Sequence, residues 1–561
     1  MTASSPQIPA KWQLISWQKK DEQFNRIPTD WRLPQLPSED VTNYLDIPRK
    51  CGLLSQKELH ITELYDAASL AEAIKTRKLK CIDVARAFCK RAAIAHQLTN
   101  CLTEILFDDA IRRASELDAH LDAGKPPLGP LHGVPVSLKD TFKIKDYDAS
   151  IGLAALCFEP AQENAVLVDN LLAAGAVLYV KTNVPQTLMA LDSHNNIFGR
   201  TLNPINTAVT AGGSSGGEGA LLAMRGSVLG VGTDVGGSIR IPAMCNGVFS
   251  IKPSWERIPY AGQESGIPPA IAKLGIPASA GPLAHSMRDI ELFFRVVADQ
   301  KPWEMDPDVV PSAWTVLPNL KGRKLRVGIV RRDGVIDPHP PILKVLDEVK
   351  IKMLSAGIEV IEMDITPLFS KCQSLANAMF GVEGGNAIFD VMESADEPLS
   401  PWLQSRLRRK PPLSLEKTRE LHARRTDLQK QFLKIWKDAH GQEIDAFVCP
   451  VAPHPVPPID RWNGTSYTSS FVLLDYPAGV VPVRAFEKRD MNGKLSAAKP
   501  IGSWDKANRE LWTQVDRSIY IGTPLSVQVV APKLQERRLC EVMSAIDDAL
   551  KRGSASPSAK L

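Results

Sequence analysis

Apolar positions recur every three to four residues over Ala67–Lys75, Ile82–Ala95 and Phe107–Leu121, which predicts three amphipathic helices early in the chain. From His132 the period shortens to two. Val134, Val136 and Leu138 alternate with smaller or polar residues, and a strand of this kind delivers its last side chain, Lys139, to a sheet edge or cleft. Helical spacing returns over Asn164–Ala174, is stopped by Gly175, and gives way to a second strand at Ala176–Lys181, a βαβ alternation. Further strands are predicted at Leu325–Val330, Ile358–Met363 and Ala446–Val451, with a long charged helix from Leu415 to Lys437 between the last two. The Pro- and Trp-rich stretches 1–50, 301–320 and 450–465 carry no period and read as loops and wraps. No internal repeat is present.

Three short stretches carry candidate chemistry: Val-Ser-Leu-Lys-Asp ending at Asp140, Gly-Gly-Ser-Ser-Gly-Gly-Glu over 212–218, and Asp-Val-Gly-Gly-Ser-Ile-Arg over 234–240. A serine hydroxyl is a poor nucleophile until a base takes its proton. Val235, Gly236 and Gly237 approach Ser238 with little bulk, so their N–H groups could turn toward an oxyanion, although an isolated Gly-Gly-Ser is usually only a tight turn. The glycine-rich 212–219 segment is not a phosphate loop, because Glu218 stands where such a loop needs lysine, and no register of it gives a dinucleotide fingerprint. It does satisfy Gly-x-Ser-x-Gly with Ser215 as nucleophile, the elbow of α/β-hydrolases. That reading needs a histidine base, and His285, His339, His422, His440 and His454 stand in no context that singles one out. Lys139 could serve as the base instead, provided burial keeps its amine neutral; an ordinary solvated lysine is the plain alternative.

Taken together, the segments resemble the amidase signature family, and are similar to fungal acetamidase-like amidases and fatty acid amide hydrolases. The resemblance runs through Gly129–Asp140, Lys181-Thr-Asn-Val184, Thr210–Glu218 and Gly232–Pro242, in the family's order and spacing. It implies an α/β fold, a large mixed twisted β-sheet covered by helices on both sides. It also implies a Ser-cisSer-Lys triad with Ser238 as nucleophile and Ser214, preceded by a cis peptide bond, relaying the proton to Lys139. Ser215 would be structural. Ser214, Val235, Gly236, Gly237 and Ser238 would bind substrate, and Asp234 and Arg240 would frame the oxyanion loop as an ion pair. His132 matches the family but nothing in the mechanism needs it, so it reads as a hydrogen-bonded scaffold residue. The late segments Asp475–Pro482 and Gly522–Val529 would pack near the site. Ser526 stands where relatives more often carry glycine, and Ala531-Pro532 replaces a commoner Gly-Arg-type turn; these departures bear on substrate range and local packing.

The resemblance implies a serine amidase cleaving carboxylic acid amides to acid plus ammonia or amine through an acyl-enzyme. Open alternatives are an amide-transfer subunit, esterase or lactamase activity on the same triad, and a catalytically silent scaffold. Composition fits a large packed core, with 561 residues that are 44% hydrophobic and 23% charged. A net charge of +4 is small for this length, and no basic run interleaved with aromatics points to nucleic acid; Ser405–Lys410 reads as a solvated helix end. The nine cysteines never form C-x-x-C, which argues against a disulfide framework or zinc, and no metal or cofactor is expected. No window approaches about 18 uninterrupted apolar residues, so no membrane span is expected. The organisation expected is an extension over 1–60 wrapping the core, an amidase domain over 61–545 and a flexible tail over 546–561. A cytoplasmic location follows, with peroxisomal import as the alternative because Ala559-Lys560-Leu561 is close to a Ser-Lys-Leu address. A small-molecule amide is the expected partner, and homodimer formation is left open.

Overall fold

The computed structural model describes residues 9–266, 274–312, 314, 323–461 and 464–552. Its strands, in chain order, are β1 (Leu102–Ile105), β2 (Pro135–Lys139), β3 (Val177–Thr182), β4 (His194–Asn195), β5 (Gly199–Arg200), β6 (Leu229–Asp234), β7 (Phe249–Lys252), β8 (Ser279–Ala284), β9 (Arg326–Val330), β10 (Glu359–Met363), β11 (Ala446–Pro450), β12 (Ala478–Ala485) and β13 (Pro524–Val530). Apart from the small β4–β5 ribbon they form one 11-stranded sheet in the order β1-β3-β2-β6-β8-β7-β12-β13-β11-β9-β10, with 18 α-helices among the described residues packed around it. The sheet is mixed. β3, β2 and β6 run parallel, as do β11, β9 and β10, while the strands between them pair antiparallel.

The parallel β3-β2-β6 unit decides where chemistry can occur. β2 reaches β3 through the helix Val166–Ala173, and β3 reaches β6 through the Gly212–Ser215 loop and the helix Gly216–Ala223. Crossovers of this kind bring the carboxyl ends of neighbouring strands to one edge, where open α/β sheets bind ligands. Lys139 ends β2 opposite Thr182, and Asp234 ends β6 opposite Ser279. The strands are buried along their whole length, which explains their near-continuous small and apolar residues.

The helices predicted from period 3.6 are present at Ala67–Lys75, Cys81–Thr99, Phe107–Asp122 and Val166–Ala173. Asp66 caps the first of these, accepting from the Ser69 amide at 2.9 Å, and Asn100 in the left-handed conformation ends the second. The predicted strand at 132–139 begins only at Pro135; His132 sits before it in a turn, its Nδ1 accepting from the Leu128 amide at 3.0 Å and its Nε2 bonded to the Leu117 carbonyl at 3.3 Å. The charged helix from Leu415 stops at Phe432 and tightens into a 3-10 turn over Leu433–Trp436, where Trp436 turns in to stack on Phe447 of β11.

Two expectations at the chain ends need correction. Residues 1–50 are not only loop, because Lys11–Asn25 is a helix that docks across the edge strand β1. Its buried face is polar, with Ser16, Lys19 and Gln23 three and four residues apart, so no apolar period announces it. Gln23 Nε2 donates to the Leu102 and Thr103 carbonyls at 2.9 Å each, and Ser16 Oγ donates to the Ile197 carbonyl at 2.8 Å. Two carbonyls of the edge strand, those of Leu102 and Thr103, are thereby satisfied. Residues 546–551 are not tail but the end of the helix Glu536–Lys551, held by buried Leu539, Met543 and Ile546. The tripeptide Ala559-Lys560-Leu561 and part of the 301–320 stretch lie outside the described residues.

All nine cysteines are free thiols, and no helix among the described residues is long and apolar enough to cross a membrane. The docked N-terminal helix depends on Lys19, only 3% exposed, which pairs with Glu104 at 2.6 Å and Asp148 at 2.7 Å. Removing one partner of a buried ion pair strands the others, so Lys19→Met is expected to cost about 3–5 kcal/mol. Calorimetry should show a lower Tm than wild type, and Lys19→Arg a smaller drop.

Candidate active site

Lys139 leaves the end of β2 fully buried, with its Nζ donating to Ser214 Oγ at 2.7 Å, Thr233 Oγ1 at 2.8 Å and the Thr233 carbonyl at 3.4 Å. All three acceptors are uncharged. Burial pulls its ammonium down to about 7, only partly opposed by the charges of Asp234, Glu218 and Asp140. Lys139 and Ser214, 75 residues apart in the chain, are in direct contact.

Ser214 sits in a loop that only glycine allows. A Cβ on Gly213 would lie 2.6 Å from the Ala190 carbonyl oxygen, and Gly212 adopts a positive φ of 80° against Pro242. The Gly213–Ser214 peptide bond is cis. Ser215, in contrast, points under the sheet edge, fully buried, its Oγ accepting from the Thr233 amide at 3.4 Å. A Cβ on Gly232 would meet that oxygen at 2.7 Å. No histidine hydrogen-bonds Ser215 among the described residues. His285 and His339 are buried with their rings pushed down to about 3 by desolvation, His454 bonds the Pro455 carbonyl, and His422 bonds the Leu274 carbonyl.

Ser238 comes from the loop after β6, and its carbonyl accepts from the Ser215 amide at 3.1 Å, which ties the two serine loops together. Its hydroxyl has no hydrogen-bond partner among the described residues, and no hydrogen bond joins it to Ser214. The loop is shaped by Asp234, whose carboxylate accepts from the Gly237 amide at 2.7 Å and the Ile239 amide at 3.1 Å and pairs with Arg240 Nε at 3.0 Å. Arg240 spans further, donating to Gln528 Oε1 on β13 at 2.7 Å and to the Thr468 carbonyl at 2.9 Å. Thr468 Oγ1 in turn donates to the Gly236 carbonyl at 2.6 Å. Gly237 must be glycine, because its φ is 132° and a Cβ would collide with Ile241 and Thr468. Of the three amides expected to face an oxyanion, Gly237's is thus committed to Asp234, while those of Val235, Gly236 and also Ser238 make no hydrogen bond among the described residues.

Around this centre each remaining charge has its own partner. Asp140 accepts from Thr103 Oγ1 at 2.7 Å and Ser150 Oγ at 2.8 Å and faces Lys181 at 3.4 Å. Glu218 accepts from Ser137 Oγ at 2.6 Å and Thr182 Oγ1 at 2.9 Å, and burial pushes its carboxyl up to about 7. In the sequence Glu218 excludes a phosphate loop and closes the Thr210–Glu218 segment, and the glycine at 230, whose absent side chain gives this carboxylate its space, is the signal of its burial. Thr233 was missed, since nothing in the sequence distinguishes it from any strand threonine. Ser526 lies within β13 with its hydroxyl buried and unpartnered, while the expected neighbour Gly522–Val529 contributes Gln528 to the Arg240 frame. Among the described residues no group of three or more His, Cys, Asp or Glu is arranged to hold a metal.

A sheet of this topology, with a buried lysine on a serine that follows a cis bond and a second serine on a glycine loop, defines a class of proteins rather than a single one. The family model described as Amidase matches residues 83–540, and the chain belongs to that family. It is 36% identical to an acetamidase of Emericella nidulans over 97% of this chain and 99% of that protein, and 33% identical to an acetamidase of Aspergillus oryzae over 96% and 99%. Among solved structures it is similar to a fatty acid amide hydrolase, with a TM-score of 0.86 and 30% identity over 96% of this chain and 95% of that one.

The Asp234–Arg240 pair is wholly buried, so Arg240→Ala is expected to leave Asp234 uncompensated at a cost of about 3–5 kcal/mol and to release the 235–238 loop. Thermal denaturation should show the loss, and Arg240→Lys should restore little of it, because an ammonium cannot reach Asp234, Gln528 and the Thr468 carbonyl together.

Proposed function

We propose that this chain hydrolyses carboxylic acid amides through an acyl-enzyme on Ser238. The observation that carries the reading is the contact between a fully buried lysine, held near neutrality, and Ser214 Oγ at 2.7 Å. Family membership and the acetamidase relatives support the same chemistry.

Ser238 Oγ attacks the amide carbonyl and passes its proton to the Ser214 hydroxyl, which passes its own to Lys139; in the neutral form the amine keeps its N–H bonds for Thr233 and turns its lone pair to Ser214, so across the same 2.7 Å contact the hydroxyl donates. The C=O π bond becomes an oxyanion, which the uncommitted amides of Val235, Gly236 and Ser238 would receive. Gly237 contributes by pinning the loop through Asp234 rather than by donating. When the tetrahedral centre collapses, the C–N bond breaks and the nitrogen takes a proton from Ser214, replenished by the Lys139 ammonium. An amine leaves poorly unless protonated, so a hydroxyl that both accepts and donates suits an amide. Water then repeats the sequence on the ester, giving the acid and restoring Ser238. The Ser214–Ser238 hydroxyl contact this requires would tighten on substrate binding, as catalytic hydrogen bonds commonly do.

Ser238→Ala is expected to abolish release of acid and ammonia from a panel of amides, and Lys139→Ala to reduce kcat/KM by about 10² to 10⁴. Near-normal turnover in Lys139→Ala would remove the base from the scheme. A serine-directed fluorophosphonate should add to Ser238; an adduct on Ser215 would restore the elbow reading. Because the working form is the neutral amine, kcat/KM should rise with pH through about 7 and level off above it. A rate that falls as pH rises through that range would contradict a neutral lysine base.

A further inference from the structure

Three carboxyl groups act on the charge of Lys139, and one of them has no cation of its own. Asp140 faces Lys181 at 3.4 Å and Asp234 is paired with Arg240 at 3.0 Å, whereas Glu218 makes no ion pair among the described residues. Its place relative to Lys139 follows from the sheet. Ser137 and Lys139 are two residues apart on β2 and so share a face, and Thr182 of β3 stands in register with Lys139. The Ser137 and Thr182 hydroxyls both donate to Glu218, at 2.6 and 2.9 Å, so its carboxyl lies against the face that carries the amine. On β6, Gly230 is registered opposite Ser137, and a Cβ there would strike Glu218 Oε2.

The hydrogen bonds around Glu218 fit two protonation states. When the carboxylate is charged, Ser137 and Thr182 donate to it and Ser227 Oγ donates to the Leu229 carbonyl at 3.2 Å. When it carries a proton, its O–H donates to Ser137 Oγ, whose own proton turns to Ser227 Oγ at 2.8 Å. Neither form leaves a buried hydroxyl of this run without an acceptor, which is what a buried carboxyl that changes charge requires.

Burial pushes this carboxyl up to about 7 and the Lys139 ammonium down to about 7, and the charge on each favours the charge on the other. The other titratable groups packed around the two lie outside that range. Tyr179 of β3 and the thiols of Cys89, Cys101 and Cys245 are pushed up by burial, and Tyr260, whose phenol faces Thr233, is pushed up to about 12. His96 and His285 are pushed down, to about 4 and about 3. Arg91, held by Glu63 at 2.8 Å, Arg225 and Arg240 are guanidiniums and stay charged throughout.

We propose that Glu218 is a positioning residue for the amidase reaction and acts through Lys139: its carboxylate keeps the amine charged to a higher pH than a neutral group would, and its protonated form, accommodated by the Ser137–Ser227 run, leaves the amine free to serve as base. This rests on the reading of Lys139, Ser214 and Ser238 as an amidase centre, and adds to it the group that sets the pH at which the base becomes available.

The test follows kcat/KM for an amide that the wild type turns over, from about pH 5 to 9, in wild type, Glu218→Gln and Thr182→Val. The side-chain amide introduced by Glu218→Gln donates into the same hydroxyl run, so the packing is kept. Its acid limb is expected to move to lower pH by about half a pH unit or more, because a negative charge beside the amine has been removed. Thr182→Val takes away one of the two donors that favour the carboxylate, and its limb should move in the same direction by less; it supplies the reading if Glu218→Gln does not give folded protein. A core merely loosened by either substitution would admit water, relieve the desolvation of Lys139 and move the limb to higher pH instead. The rate of fluorophosphonate addition to Ser238 over the same range reports the limb without any amide. A limb in Glu218→Gln that coincides with the wild type or lies above it overturns the inference, as does the same result in Thr182→Val where that variant stands in. In that case a wild-type rate that still rises with pH leaves the amidase reading standing, whereas no turnover of any amide and no adduct on Ser238 overturns both.

Discussion

Lys139 is surrounded by charge and yet touches none of it. Its three hydrogen-bond partners are the Ser214 and Thr233 hydroxyls and one carbonyl, while two of the three carboxylates nearby are paired with another cation: Asp140 with Lys181, Asp234 with Arg240. Glu218 is held by two hydroxyls with its carboxyl pushed up by burial. A carboxylate within hydrogen-bond reach would return the lysine to its charged form, since a close opposite charge outweighs much of the desolvation penalty. Segregating these groups is the constraint that the surrounding structure answers to.

The segregation is achieved by backbone geometry. Parallel β2 and β6 alternate their side chains, so Lys139 and Asp140 leave the sheet edge in different directions. Asp234 is drawn away from Lys139 by two loop amides and by an arginine that is itself fixed to β13 and to the helix Ser466–Leu473. The frame that neutralises the acid is therefore the same frame that shapes the Ser238 loop. Loss of either function would carry the other with it, and the chain invests three distant segments in holding one carboxylate.

Legibility in the sequence followed the kind of force involved. Helices that bury an apolar stripe, such as Ala67–Lys75, declare themselves by period. The strands at the centre of the sheet do not: β6 reads Leu-Gly-Val-Gly-Thr-Asp, and its glycines are present because Glu218 and Ser215 lie against them, a requirement invisible without knowing what packs there. The helix Lys11–Asn25 escaped for a related reason. It docks through Ser16, Lys19 and Gln23, and polar residues signal burial only when their partners are known. Thr233 stands at the lysine for a reason that only register supplies.

The residue types and their order were fixed by the chain itself: a lysine closing an alternating strand, serines framed by glycine, and an Asp-Val-Gly-Gly-Ser-Ile-Arg turn, each constrained by local sterics that short sequence can express. The tertiary structure decided which serine meets the lysine, which loop amides remain uncommitted, and how far the ammonium is desolvated. Those quantities depend on distances between segments far apart in the chain, and on the exclusion of water from a site that no single segment encloses.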